Sequence, residues 1–102
     1  YHDIQPVITN ANDEDVWDVV GPVCETGDFL GSERHLPEPQ QGDLLAVFTC
    51  GAYGATLGSS YNTRLSAHEV LVDGEKFEII RARPQYDDIL ALEKVPDWLK
   101  KA

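Results

Sequence analysis

Methionine is absent from all 102 residues, and basic side chains are scarce: eight Lys and Arg stand against eighteen Asp and Glu, a formal net charge of −10. So acidic a chain is a poor match for nucleic acid or an anionic membrane, because both call for a basic face. No apolar run approaches the ~18–20 residues of a membrane-spanning helix. Only two cysteines are present, Cys24 and Cys50. They could form one bridge, but there is no dense cysteine framework and no C-x-x-C pair with metal-ligand spacing. The pattern favours reduced thiols in a reducing, cytoplasmic compartment. His2, His35 and His68 lack ligand spacing as well and read as structural or exposed, so no metal site is expected. The lack of methionine, with Tyr1 entering directly as strand-like sequence, predicts that residues 1–102 are a piece of a longer chain.

What is present suits one domain by length. A hydrophobic content of 42% and a charged content of 25% describe a globular chain long enough for a core of its own. Residues 4–9 read as extended, with Ile4, Val7 and Ile8 apolar. Residues 10–15 are turn-formers and acids except Ala11, a solvated loop rather than a cation site. Residues 16–20, with Val16, Trp17, Val19 and Val20, suit a half-buried strand. Those two strands are expected to pair across the acidic loop. Residues 29–42 carry Gly31, Pro37, Pro39 and Gly42 and read as loop-rich. Residues 44–50 form the most apolar run, short enough to favour a buried strand over a helix, which needs ~10–12 residues. The glycines around Tyr53 predict a backbone bend, and this loop lacks the spacing of a phosphate-binding motif.

Asp73-Gly74 between residues 68–72 and 76–83 is the preferred two-residue hairpin linker, expected to set Val72 against Glu75 and Val70 against Phe77. Pro84 ends that ladder. Ile89, Leu90 and Leu92 behind Asp87-Asp88 predict a short helix with acids in its first turn. Pro96 stops it, and one last turn follows over residues 96–100. The fold class is mainly β: five to six strands in a small antiparallel β-barrel or sandwich, with a short C-terminal helix.

Chemistry concentrates in Gly21-Pro22-Val23-Cys24-Glu25-Thr26-Gly27-Asp28. Gly and Pro force the chain to reverse, so Cys24 and Glu25 sit on a rigid bend of the kind that presents side chains to a ligand. Against this, lone cysteines are often buried and loop carboxylates are usually just solvated.

Residues 20–30, Gly42-Asp43-Leu44-Leu45-Ala46-Val47, Gly51-Ala52-Tyr53-Gly54, Tyr61-Asn62-Thr63-Arg64 and Glu69-Val70-Leu71-Val72 resemble, in order and spacing, the C-terminal region of the diaminopimelate decarboxylases. The likeness runs from Tyr1 to about Arg83. It implies a pyridoxal-phosphate (PLP) enzyme of the alanine-racemase-like fold type, a homodimer that joins a β/α barrel to a C-terminal β-barrel. Such an enzyme converts meso-diaminopimelate to L-lysine and CO2. A β/α barrel takes ~250 residues, so the chain resembles the C-terminal barrel domain alone. The family's barrel also borrows a short N-terminal segment of its parent chain.

The resemblance implies that Cys24 donates the proton to Cα in the partner subunit's site. A thiol, ordinarily titrating near ~8.5, can serve as an acid around neutrality. It also implies that Glu25 faces the distal ammonium of the substrate and that Tyr53 contacts the PLP phosphate or the substrate. Asp28, Tyr61 and Asn62 are expected to scaffold the pocket. Ornithine-type decarboxylases resemble G-P-T-C-D-x-x-D here, whereas Val23 precedes Cys24 and Glu25 follows it. Leu65-Ser66 departs from the family's usual continuation and puts only that loop in doubt. The Schiff-base lysine belongs to the β/α barrel, and Lys76, Lys94, Lys100 and Lys101 all read as solvated surface. Three other readings stand beside this one: a freestanding β-barrel interaction module with an acidic surface for a basic partner, a related PLP amino-acid decarboxylase, and a cysteine hydrolase. No His–acid pair can be placed beside Cys24 for the last.

Overall fold

Six strands form in the computed structural model, which describes residues 1–100. Two compact units are present, Tyr1–Gly58 and a second that begins at Ser59.

In the first unit, β1 (Ile4–Pro6) pairs antiparallel with β4 (Leu45–Val47), and β2 (Glu14–Val20) pairs antiparallel with β3 (Phe29–Pro37). The expected pairing of the first two strands is therefore corrected. β2 takes the longer β3 as its partner, and β1 matches the equally short β4. The stretch expected to be loop-rich supplies β3 itself. Its two apparent breakers occupy positions a strand tolerates, Gly31 at a bulge and Pro37 at the strand end, opposite Glu14. The acidic segment is shorter than its composition implied, because Glu14 and Asp15 already belong to β2.

The bulge explains how this unit makes a core. Trp17 faces Arg34 and Val19 faces Gly31, so β3 carries one residue more than β2 between these pairs. Glu33 absorbs the excess with a left-handed φ of 51°, and its N–H donates to Asp18 Oδ1 at 3.0 Å. A Cβ on Gly31 would lie 2.8 Å from Arg34 Nε and 2.9 Å from Ile4 Cδ1. Glycine thus leaves the space that Ile4 fills. Ile4 and Leu36 are the two buried apolar side chains among the described residues. The indole N–H of Trp17 is buried too, without a hydrogen-bond partner among them.

The apolar run at residues 44–50 is not one buried strand. Only Leu45–Val47 is strand, half-buried, while Leu44 is 68% exposed. Thr49 turns into the left-handed region at φ 57°, and α1 (Gly51–Leu57) follows directly. The glycine-bracketed stretch around Tyr53 is therefore helix rather than a bend. Cys50 O accepts from Gly54 N–H at 2.7 Å and opens the first turn.

The second unit holds the hairpin of β5 (Glu69–Asp73) and β6 (Lys76–Arg81), then α2 (Tyr86–Leu90) and a final 3-10 turn at Asp97–Leu99. The hairpin forms where the sequence places it, but its turn lies one residue later, so Val70 and Val72 each meet a partner two residues beyond the expected one. Asp73 pairs with Lys76, Val72 with Phe77 and Val70 with Ile79, so Gly74 and Glu75 make the turn. Gly74 has φ +61° and Glu75 does not share the left-handed region, the pattern of a type II′ turn. At α2, Gln85 N–H donates to the Asp88 carboxylate at 2.7 Å, which closes a capping box. Acids occupy its first turn as expected.

Mainly sheet with short helices is thus the fold class, arranged as three two-stranded antiparallel ribbons among the described residues. A two-stranded ribbon covers neither of its faces. Leu71, Val72, Phe77 and Ile80 are accordingly exposed, and the core within the chain is thinner than its composition implies.

Candidate functional site

Residues 21–28 join β2 to β3 by a succession of tight turns. Glu25 N–H donates to Val23 O at 2.9 Å, a three-residue γ-turn with Cys24 at its centre. Asp28 N–H donates to Glu25 O at 3.0 Å across Thr26 and Gly27, and Phe29 N–H donates to Gly27 O at 2.9 Å. The ends are tied together where Gly21 N–H donates to Asp28 O at 3.0 Å. Few backbone donors are left to fluctuate, so the bend is rigid for a definable reason. Cys24 is exposed at its apex as a thiol.

Glu25 is not simply solvated. Its Oε1 accepts from Gly27 N–H at 2.8 Å and from the Thr26 hydroxyl at 3.4 Å. The carboxylate is held over its own turn and brings a fixed negative charge beside the Cys24 position. Asp28 is half-buried, and its Oδ2 accepts from Val23 N–H at 2.9 Å. Sequence reasoning left Asp28 as general scaffolding. Its signal was an Asp seven residues after a Gly, at the two ends of a turn-rich stretch, but the pairing appears only once the chain returns on itself.

Tyr53 stands on a separate element of the same unit, on α1, and is exposed. Thr56 Oγ1 donates back to Ala52 O at 3.1 Å within that helix. Tyr61 and Asn62 belong to the second unit, in a 3-10 turn at Tyr61–Thr63. Asn62 and Thr63 there both lie in the left-handed region, at φ 56° and 59°. Consecutive left-handed residues without glycine are costly.

Basic groups are few in the unit that carries the loop. Arg34 is the sole Lys or Arg in residues 1–58. Its guanidinium lies 4.1 Å from the Tyr1 ring and donates to His2 O at 2.7 Å. It borders an open groove of about 430 Å³ also lined by Tyr1, Phe29 and His35. Lys94 and Lys100 reach Asp97 at 3.9 and 3.2 Å, on exposed side chains, and Lys76 sits on β6. Lys101 lies outside the described residues. Among those residues no three His, Cys, Asp or Glu side chains gather as a metal site. No described helix is long and apolar enough to cross a membrane. The loop therefore offers an acid and an anion. Residues 1–58 hold no lysine that could anchor a carbonyl cofactor covalently.

Residues 1–51 match the family described as pyridoxal-dependent decarboxylase, C-terminal sheet domain. Curated relatives named diaminopimelate decarboxylase include that of Archaeoglobus fulgidus, 46% identical over 90 residues, covering 88% of this chain and 22% of that protein. The Vibrio cholerae protein of the same name is 48% identical over 95 residues, covering 93% of this chain and 22% of the relative. A crystal structure of diaminopimelate decarboxylase from M. jannaschii in co-complex with L-lysine superposes with a TM-score of 0.88. It is 35% identical and covers 98% of this chain and 23% of that one. The chain thus spans between a fifth and a quarter of the length of these relatives.

Proposed function

Because this chain belongs to the family of pyridoxal-dependent decarboxylase C-terminal sheet domains, we propose that residues 1–102 are the C-terminal domain of a diaminopimelate decarboxylase. The reaction is conversion of meso-diaminopimelate to L-lysine and CO2, in the cytoplasm, by a homodimer. The relatives' name and the lysine complex of the M. jannaschii enzyme support the substrate and product. In the parent protein the ribbons would close into a β-barrel, with a short N-terminal segment of the parent chain covering open strand edges. The exposed apolar residues of β5 and β6 support that reading.

PLP, when bound, supplies an electron sink that stabilises the electron pair left at Cα as CO2 departs. This chain's residues do the rest of what is proposed. Cys24 delivers its thiol proton to Cα in the partner subunit's site. Glu25 receives the distal ammonium of the substrate in a charge-assisted contact, which selects a diamino acid. Tyr53 contacts the cofactor phosphate or the substrate. The observation that carries this reading is the placement of Cys24 at the centre of a γ-turn in a loop closed end to end. General acid catalysis needs the donor held at hydrogen-bond range from its target, and such a loop restricts the backbone from which the thiol projects. Glu25 is held in advance by Gly27 N–H, so little conformational freedom is lost when an ammonium arrives.

The test is Cys24→Ala in the full-length enzyme. PLP content is expected to be retained while kcat falls by ~10²–10⁴, the usual contribution of a positioned acid. Wild-type turnover in that variant would remove the role of Cys24. The isolated 102-residue chain is expected to release no CO2 from meso-diaminopimelate, and activity in pure chain would overturn the half-site reading.

A further inference from the structure

Three groups of one residue hold the loop that carries Cys24. Asp28 N–H donates to Glu25 O, Asp28 O accepts from Gly21 N–H, and Asp28 Oδ2 accepts from Val23 N–H. The first two are backbone bonds that any residue but proline could make. The third belongs to the side chain, and it binds the backbone N–H of Val23, the residue before Cys24. Val23 O is in turn the acceptor that closes the γ-turn around Cys24. The carboxylate therefore holds the Pro22–Val23 peptide, and through Val23 it restrains the next peptide unit, whose carbonyl closes the γ-turn around Cys24.

Gly21 supplies a second, independent observation. A Cβ built at Gly21 would overlap the Asp28 carboxylate, so the carboxylate occupies the space that any other residue at 21 would fill. Gly21 is not required here for a left-handed φ, since the glycines in that region are Gly42 and Gly74. It is required for room. The motif thus has two coupled ends, a glycine that opens a recess and an aspartate that fills it and pulls the Val23 amide inward.

We infer that Asp28 is a positioning residue for Cys24, its carboxylate orienting the thiol through the Val23 amide in a recess that only Gly21 leaves open. The inference rests on the proposal that Cys24 is the proton donor at Cα. A donor that drifts by about 1 Å can lose roughly 100-fold in rate. It can also deliver its proton without regard to face. Loss of the tether should therefore show in stereochemistry as well as in speed.

The experiment uses the full-length enzyme in D2O with meso-diaminopimelate. It measures kcat, KM and the configuration of the deuterium placed at Cα, beside amide hydrogen exchange over residues 21–28. Asp28→Ala is expected to lower kcat by ~10–100-fold with little change in KM. Deuterium should be scrambled between the two faces and exchange in the loop should rise. Asp28→Asn keeps an acceptor oxygen for Val23 N–H and should restore most of the rate and the stereospecificity. Gly21→Ala should reproduce Asp28→Ala by evicting the carboxylate. It also carries the comparison with Asp28→Asn if Asp28→Ala does not fold.

Loss of folded protein alone would lower the rate without scrambling deuterium. Stereospecific product at a wild-type kcat in Asp28→Ala or Gly21→Ala overturns the inference. So does an Asp28→Asn variant as damaged as Asp28→Ala, since a carboxylate charge rather than an acceptor would then be at work. If the wild-type enzyme does not decarboxylate the substrate, the functional reading fails. The exchange comparison still decides the tether, because unchanged loop exchange in both Asp28→Ala and Gly21→Ala overturns it.

Discussion

The two units of this chain achieve order by different means. The first, Tyr1–Gly58, has both buried apolar residues, Ile4 and Leu36, and a bulged ribbon whose excess residue is bonded to Asp18. Its connecting loop satisfies its own backbone. The second, from Ser59, rests on turn chemistry: a Gly74 hairpin, a capping box at α2, and ion pairs at exposed side chains. A hairpin held by its turn and its ladder alone is marginal in water. The Cys24 loop belongs to the first unit, where buried packing beside a bulge resists local opening better than an open ribbon does.

The contrast can be broken most directly at Leu36. Leu36→Ala is expected to cost ~2–5 kcal/mol, the range for a buried leucine truncated to alanine, read as a fall in denaturant midpoint. A change near zero would mean that the first unit is not held by its core. Next comes Gly74→Ala. An L-residue in the left-handed region costs roughly 1–2 kcal/mol, and it should loosen hydrogen-exchange protection in β5 and β6 while leaving β2 and β3 unchanged. Equal loss of protection in both ribbons would show that the units are not distinct in stability.

Smaller effects sharpen the same comparison. Leu71 is 62% exposed on the hairpin, and Leu71→Ala in the 102-residue chain should shift stability by no more than ~0.5 kcal/mol. The same substitution in the full-length protein should cost clearly more if the hairpin face is covered there. Arg81→Ala removes an ion pair with Glu69 at 3.3 Å whose side chains are both exposed. It should change the midpoint by under ~1 kcal/mol and less still at high salt.

Much of the second unit was legible in residue order. Asp73-Gly74 announced a hairpin, and Asp87-Asp88 before Ile89 announced α2, because both signals act over a few neighbouring residues. Even there the turn lies one residue later than expected and each partner two residues further on, since Gly74 takes the first turn position rather than the second. The first unit was harder to read. Gly31 and Pro37 looked like breakers, yet one sits at a bulge that makes room for Ile4 and the other at a strand end. The glycines at 51 and 54 spoke for a bend, and the chain builds α1 across both. Strand partners could not be read at all from periodicity, because alternation marks a strand without naming its neighbour.

The candidate site divides along the same line. Residue order alone determined that a thiol and a carboxylate share a Gly- and Pro-bounded reversal at 21–28, and that Arg34 is the one Lys or Arg in residues 1–58. Local chemistry suffices for both, because composition and turn propensity need no partner from elsewhere. Only the folded chain decided that Asp28 closes the loop, that Gly21 leaves the recess it fills, and that Cys24 stands at the centre of a γ-turn. Those facts depend on β3 returning antiparallel to β2, which brings residue 28 back to residue 21. The turn residues allow that return, but the pairing of β2 with β3 fixes it, and periodicity does not name a strand's partner.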